Sequence, residues 1–209
     1  HAYIAITDHS ESSRVANGLT PERLYVQIEE VRKINREING IEVLTGSEVD
    51  IRGDGSLDFS DEILAQLDIV VASVHAGFAL GEVEMPRRVI RAIENPFVKI
   101  LGHPTGRLLG QRPGVAINLD AVIQAAVAND VILEINASPS RLDLEPDIVR
   151  HAREAGALLA VNTDAHATTQ LGQMCFGINV ARRGWLQKEE VINSYQLGAL
   201  RKVLQIRTP

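Results

Sequence analysis

The chain has 209 residues, 45% of them apolar, with a net charge of −6 and one cysteine, which suffices for one substantial core of α/β-domain size. No run approaches the roughly 18 apolar residues that a membrane helix needs, and the first residues lack the charged-then-apolar layout of a secretory signal, so a soluble cytoplasmic protein is expected. Cys175 has no disulfide partner within the chain, and the scattered basic residues do not form the dense positive surface of an autonomous nucleic-acid binder, so any grip on DNA is expected to come from elsewhere.

Short β-branched apolar runs alternate with longer amphipathic stretches, the pattern of repeated βα units and a largely parallel sheet. Strands are predicted over 3–7, 41–45, 69–73, 98–102, 131–135 and 158–162. The clearest helix spans 21–39: Thr20 caps it, Pro21 suits its first turn, and Leu24, Ile28, Val31, Ile34 and Ile38 form one apolar face. Further helices are predicted over 61–67, 86–94, 119–129, 146–155 and 188–197. Most strands read as nearly all apolar, which indicates burial on both faces and favours a barrel.

The residues that follow the strands carry the chemistry. Asp8 and His9 follow the first, Glu48 the second, His75 the third, His103 the fourth, and Asp164 and His166 the last, so four of the six histidines occupy equivalent positions. Strand C-termini of parallel βα folds converge on one face, where residues remote in sequence meet. Imidazole mixed with carboxylate suits Zn, Mn or Fe rather than Mg or Ca, and the lack of nearby cysteine argues for a catalytic rather than a structural metal. There is no G-x-S-x-G elbow, Walker loop or dinucleotide fingerprint, so neither serine-hydrolase chemistry nor a nucleotide cofactor is expected.

Thr7-Asp8-His9, Gly46-Ser47-Glu48, Ser73-Val74-His75, Gly102-His103-Pro104 and Asn162-Thr163-Asp164-Ala165-His166 resemble the successive motifs of the PHP (polymerase and histidinol phosphatase) family over nearly the whole chain. Glu134-Ile135-Asn136, Arg141-Leu142-Asp143-Leu144 and Ala181-Arg182-Arg183-Gly184-Trp185-Leu186 look specifically like the C-terminal PHP domain of bacterial and archaeal family X DNA polymerases.

The resemblance implies an α/β fold, a distorted (β/α)7 TIM-like barrel, with 1–209 as a PHP domain that begins after a first strand bearing an H-x-H motif. It implies up to three divalent metal ions, Mn or Zn or Fe. Glu48 would bridge two of them, His75 and His103 would complete the second site, Asp164 would serve the first, and His9 and His166 the third, with Asp8 in a supporting role. Glu48, His75, His103 and Asp164 are thus the expected catalytic residues. Arg107 and Arg141, each shortly after a strand end, are the candidates for gripping a phosphate.

The expected activity is metal-dependent cleavage at DNA 3′ ends, as a 3′–5′ exonuclease or 3′-end phosphodiesterase in DNA repair, with an upstream polymerase region supplying much of the DNA affinity. With the H-x-H strand outside it, the chain alone is expected to bind fewer metals or to be inactive. Two other readings are a stand-alone phosphatase of the histidinol-phosphate type and a non-catalytic structural PHP module.

Overall fold

Residues 2–115 and 117–206 are described by the computed structural model. All six predicted strands form: β1 (Tyr3–His9), β2 (Glu42–Asp50), β3 (Ile69–Ser73), β4 (Ile100–Leu101), β5 (Ile132–Asn136) and β6 (Leu159–Asn162). Between and after them lie α1 (Pro21–Glu37), α2 (Asp61–Leu64), α3 (Glu84–Ile93), α4 (Leu119–Ala128), α5 (Pro146–Glu154), α6 (Met174–Arg183) and α7 (Leu197–Leu204). The strands lie in sequence order in one parallel sheet. That sheet curls into a half-barrel, bringing the ends of β1 and β6 close enough for the His9 and His166 rings to lie 5.8 Å apart between centroids.

The period of two along each strand separates two cores. Val49, Val70, Ala72, Leu101, Leu133, Ile135, Leu159 and Val161 face outward and pack beneath the helices, with Leu24 and Ile28 of α1 and Val89 and Ile93 of α3 among their partners. Leu44, Ile69, Val71, Ile100, Ile132 and Ala160 face inward and form a second core, closed from below by Ile192, Leu200 and Leu204. Further toward the strand C-termini, the inward positions turn polar: Glu48, Ser73, Glu134, Asn136 and Asn162. The half-barrel therefore has an apolar floor and a polar rim.

Helix boundaries follow local chemistry. The Thr20 side chain accepts from the Arg23 amide, and Pro21 occupies the first turn of α1. The helix predicted over 188–197 does not form. Short 3₁₀ turns at Lys188–Glu190 and Ile192–Ser194 replace it, because Val191 pairs with Leu159 and the Asn193 amide group bonds both the N–H (2.7 Å) and the C=O (2.9 Å) of Val161. These ties to β6 take priority over helical propensity. The Tyr3 hydroxyl reaches the carbonyls of Ile192 and Tyr195 (3.1 and 3.0 Å), so the same segment links the start of β1 to β6.

Helix α6 is not among the predicted elements. Its Gly177 reads as a breaker, yet α6 lies so close to the sheet that a Cβ there would sit 2.5 Å from Val161 Cγ1 and 2.8 Å from Ala137 Cβ. Gly177→Val should lower unfolding stability by about 1–3 kcal/mol through overpacking, read as the urea midpoint; an unchanged midpoint would mean that α6 does not press on β5 and β6 in this way.

Candidate metal centre

The rim of the half-barrel is organised around Glu48. Its β-register places it opposite His9, and its carboxylate lies 2.9 Å from His103 Nε2, 3.1 Å from His75 Nε2 and 3.6 Å from His9 Nδ1. Nitrogens of His9 and His75 and an oxygen of Glu48 lie within 4.8 Å of one another, a grouping that can hold a metal ion. Ring centroids of His9 and His75 are 4.9 Å apart, and those of His75 and His103 are 5.1 Å apart. Asp164 joins from two residues past β6, with Oδ1 3.7 Å from His166 Nδ1. The structure thus brings all six ligand-type residues of the sequence reading to one rim. Asp8 points elsewhere and accepts from Gln27 of α1.

Two of the six sit on backbone that side chains rarely adopt: His103 has φ +25° and Asp164 φ +51°. Positive φ in non-glycine residues persists where surroundings over-determine it, and it clusters at functional sites. For His103 the enforcing groups are visible. Gly102 lies where a Cβ would come within 2.3 Å of Ser73 Oγ, and the His103 N–H donates to Glu134 Oε2 at 2.6 Å.

Two carboxylates support the rim, Asp50, which the sequence did not single out, and Glu134, known there only as part of a motif. Asp50, two residues past Glu48 and on the same strand face, accepts from His75 Nδ1 at 2.5 Å and from Ser12 Oγ at 2.8 Å. This fixes the His75 tautomer and presents Nε2 to the rim, as a carboxylate behind a metal-binding imidazole does. Period-two alternation from Glu48 was the available signal. Glu134 is fully buried and accepts from the His103 amide, from Asn162 Nδ2 (2.9 Å) and from Asn136 Nδ2 (3.2 Å), which also reaches Asp164 Oδ2 at 3.1 Å. It couples the ends of β4, β5 and β6.

Electrostatics match this layout. Burial would raise the Glu48 carboxyl, but His103 and His75 hold it well below its ordinary value. Burial would lower His75, but hydrogen bonds and charge from Asp50 and Glu48 carry it to about 9. Burial lowers His9 despite Glu48, and burial lifts Glu134 to about 7. His9 Nδ1 and His103 Nδ1 are buried and lack hydrogen-bond partners among the described residues. An imidazole nitrogen left bare beside an ionised carboxylate fits a divalent cation.

The two arginines diverge. Arg141 Nε lies 3.3 Å from Asp164 Oδ2, at the rim. Arg107 bonds the carbonyls of Arg141 (2.8 Å) and Leu142 and pairs with Glu145 at 2.6 Å. Its polar partners are thus outside the cluster, and it holds the loop that carries Arg141.

No family model matches the chain. It is 44% identical over 197 residues to the DNA polymerase/3′-5′ exonuclease PolX of Bacillus subtilis (strain 168), matching 94% of this chain but spanning only 35% of that protein. A probable phosphatase of Thermoanaerobacter sp. (strain X514) is 31% identical over 185 residues, covering 84% of this chain and 73% of its own. Among solved structures, a histidinol phosphate phosphatase of Lactococcus lactis subsp. lactis Il1403, complexed with zinc, L-histidinol and phosphate, superposes with a TM-score of 0.60 at 17% identity, over 88% of this chain and 82% of that one. The chain belongs to the PHP (polymerase and histidinol phosphatase) family.

Because its imidazole pKa is raised on folding, His75 should stabilise the chelated protein fully below about pH 6.5 and lose that contribution as pH rises through about 9, by up to about 3 kcal/mol. Denaturant unfolding at pH 6 and pH 9.5 with a metal chelator checks this, and equal stabilities would contradict it. Asp50→Asn should weaken Mn²⁺ binding by about 10–100-fold with little change in fold; calorimetric titration showing wild-type affinity would remove Asp50 from the metal-supporting role.

Proposed function

We propose that the chain is the phosphoesterase module of a family X DNA polymerase and cuts phosphate esters at DNA 3′ ends, as a 3′–5′ exonuclease or 3′-end phosphodiesterase. The observation that carries this reading is the convergence of His9, Glu48, His75, His103, Asp164 and His166 on one rim. Family membership supports ester hydrolysis, and the 44% identity with the Bacillus subtilis protein supports the DNA end as substrate. The polymerase region would supply much of the DNA affinity, in keeping with a net charge of −6 on this chain.

His9, Glu48, His75, His103, Asp164 and His166 would hold up to three divalent ions, with Mn and Zn the best matches to the donor set. Such ions acidify water and stabilise charge on attacking and leaving oxygens. The chain's own residues prepare the site for this. Asp50 keeps the His75 proton on Nδ1, so that Nε2 faces inward. Glu134 fixes the turn that delivers His103. Arg141, beside Asp164, offers a guanidinium to a phosphate oxygen.

A stand-alone phosphatase of the histidinol-phosphate type is the second reading, favoured by the relatedness to probable phosphatases. The intact protein supplied with Mn²⁺ should release nucleotides from a 3′-recessed DNA end. Glu48→Ala and His75→Ala should each cut that rate by about two orders of magnitude or more. Full activity in folded variants would refute the site. Turnover of histidinol phosphate without turnover of DNA would favour the second reading.

A further inference from the structure

Arg112 lies in the loop that follows β4 and has no anionic partner among the described residues. Its Nε and Nη2 donate to the Gly106 carbonyl at 3.2 and 2.6 Å, and its guanidinium carbon lies 3.7 Å from the centre of the Phe78 ring. Phe78 belongs to the loop that begins at His75. Nη1 has no hydrogen-bond partner, and no carboxylate forms a salt bridge with Arg112, among the described residues.

Its nearest charged company is another cation. The loop that carries Arg112 is tied to the one that carries Arg141, since the Leu109 N–H donates to the Ser140 carbonyl at 2.7 Å, and the titration of Arg112 is lowered first by burial and then by the charge of Arg141. Arg141 in turn reaches Asp164 of the rim. A guanidinium that feels a neighbouring cation and has no carboxylate of its own is stabilised by an anion beside it. The neighbouring cation, Arg107, is neutralised by Glu145. Arg112 is also held from two sides before any ligand arrives, which lowers the ordering cost of binding. An open groove of about 630 Å³ lies next to it, lined by Leu108, Leu109 and Pro113 and also by Arg107 and Glu145. It has room for a nucleoside.

We propose that Arg112, together with Arg141, forms a subsite for the phosphate one nucleotide inward from the scissile ester of a single-stranded nucleic-acid end. The inference rests on the phosphoesterase reading above and adds what that reading lacks: a reason for the site to prefer a polynucleotide over a small phosphate ester. The rim cluster handles one ester. The arginine pair handles the next charge along the strand, and the apolar cavity wall takes the attached sugar and base.

The test compares oligothymidylate with thymidine 5′-p-nitrophenyl phosphate, a diester with one phosphate, using the full-length protein and Mn²⁺. The ratio of their kcat/KM values should fall about tenfold in Arg112→Ala and largely recover in Arg112→Lys. In anisotropy titrations the salt slope for oligothymidylate binding should drop by about one. If Arg112 merely braces Gly106 and Phe78, both substrates suffer alike; an unmoved ratio with an unmoved salt slope overturns the subsite, with thermal unfolding confirming that each variant is folded. A wild-type protein that binds no oligothymidylate overturns it as well. A wild type that binds the oligomer through Arg112 yet hydrolyses neither diester would sink the phosphoesterase reading and leave the subsite standing.

Discussion

A single ionised carboxylate, Glu48, sits almost wholly buried with three imidazoles around it, and much of the architecture serves that arrangement. A buried charge is tolerated only when opposite charge and hydrogen bonds compensate it. Here the compensating groups come from the ends of β1, β3 and β4. The rim therefore cannot be assembled by local structure alone. It needs the parallel sheet to curl, the inward face to change from apolar to polar near the strand ends, and His103 and Asp164 to accept left-handed backbone.

The division of labour along the strands explains how one sheet supports both stability and chemistry. Leu44, Ile69, Val71, Ile100, Ile132 and Ala160 fill the floor, where α7 and Ile192 close it. Two or four residues further on, the same inward positions carry Glu48, Glu134, Asn136 and Asn162. Asp50 and Glu134 then form a second tier of carboxylates behind the imidazoles, one fixing a tautomer and the other a backbone turn. The Arg107 to Arg141 contact extends the support to the loop that brings a cation to the rim.

The strands and the residues that gather at the rim were legible because both rest on short-range patterns: β-branched runs, followed at once by His, Asp or Glu. Their equivalence by position needed no coordinates. What the sequence concealed depends on distance. Helix α6 was hidden because Gly177 normally argues against a helix, and only the closeness of Val161 and Ala137 explains its presence. The 188–197 segment carries helical residues but is claimed by β6 through Asn193. Asp50 was within reach of an alternation argument from Glu48, whereas Glu134 was recognised only as part of a motif and its three donors come from β4, β5 and β6. Arg112 had no local signal, since its lack of a carboxylate partner among the described residues shows only in the folded chain.

Diffraction from crystals soaked in Mn²⁺, with the metal located by anomalous scattering, tests the central claim most directly. The account predicts ordered ions about 2.0–2.3 Å from Glu48 and from nitrogens of the surrounding histidines, with Asp50 still bonded to His75 Nδ1. Anomalous density elsewhere on the surface, with the imidazoles left hydrogen-bonded to a metal-free Glu48, would contradict it.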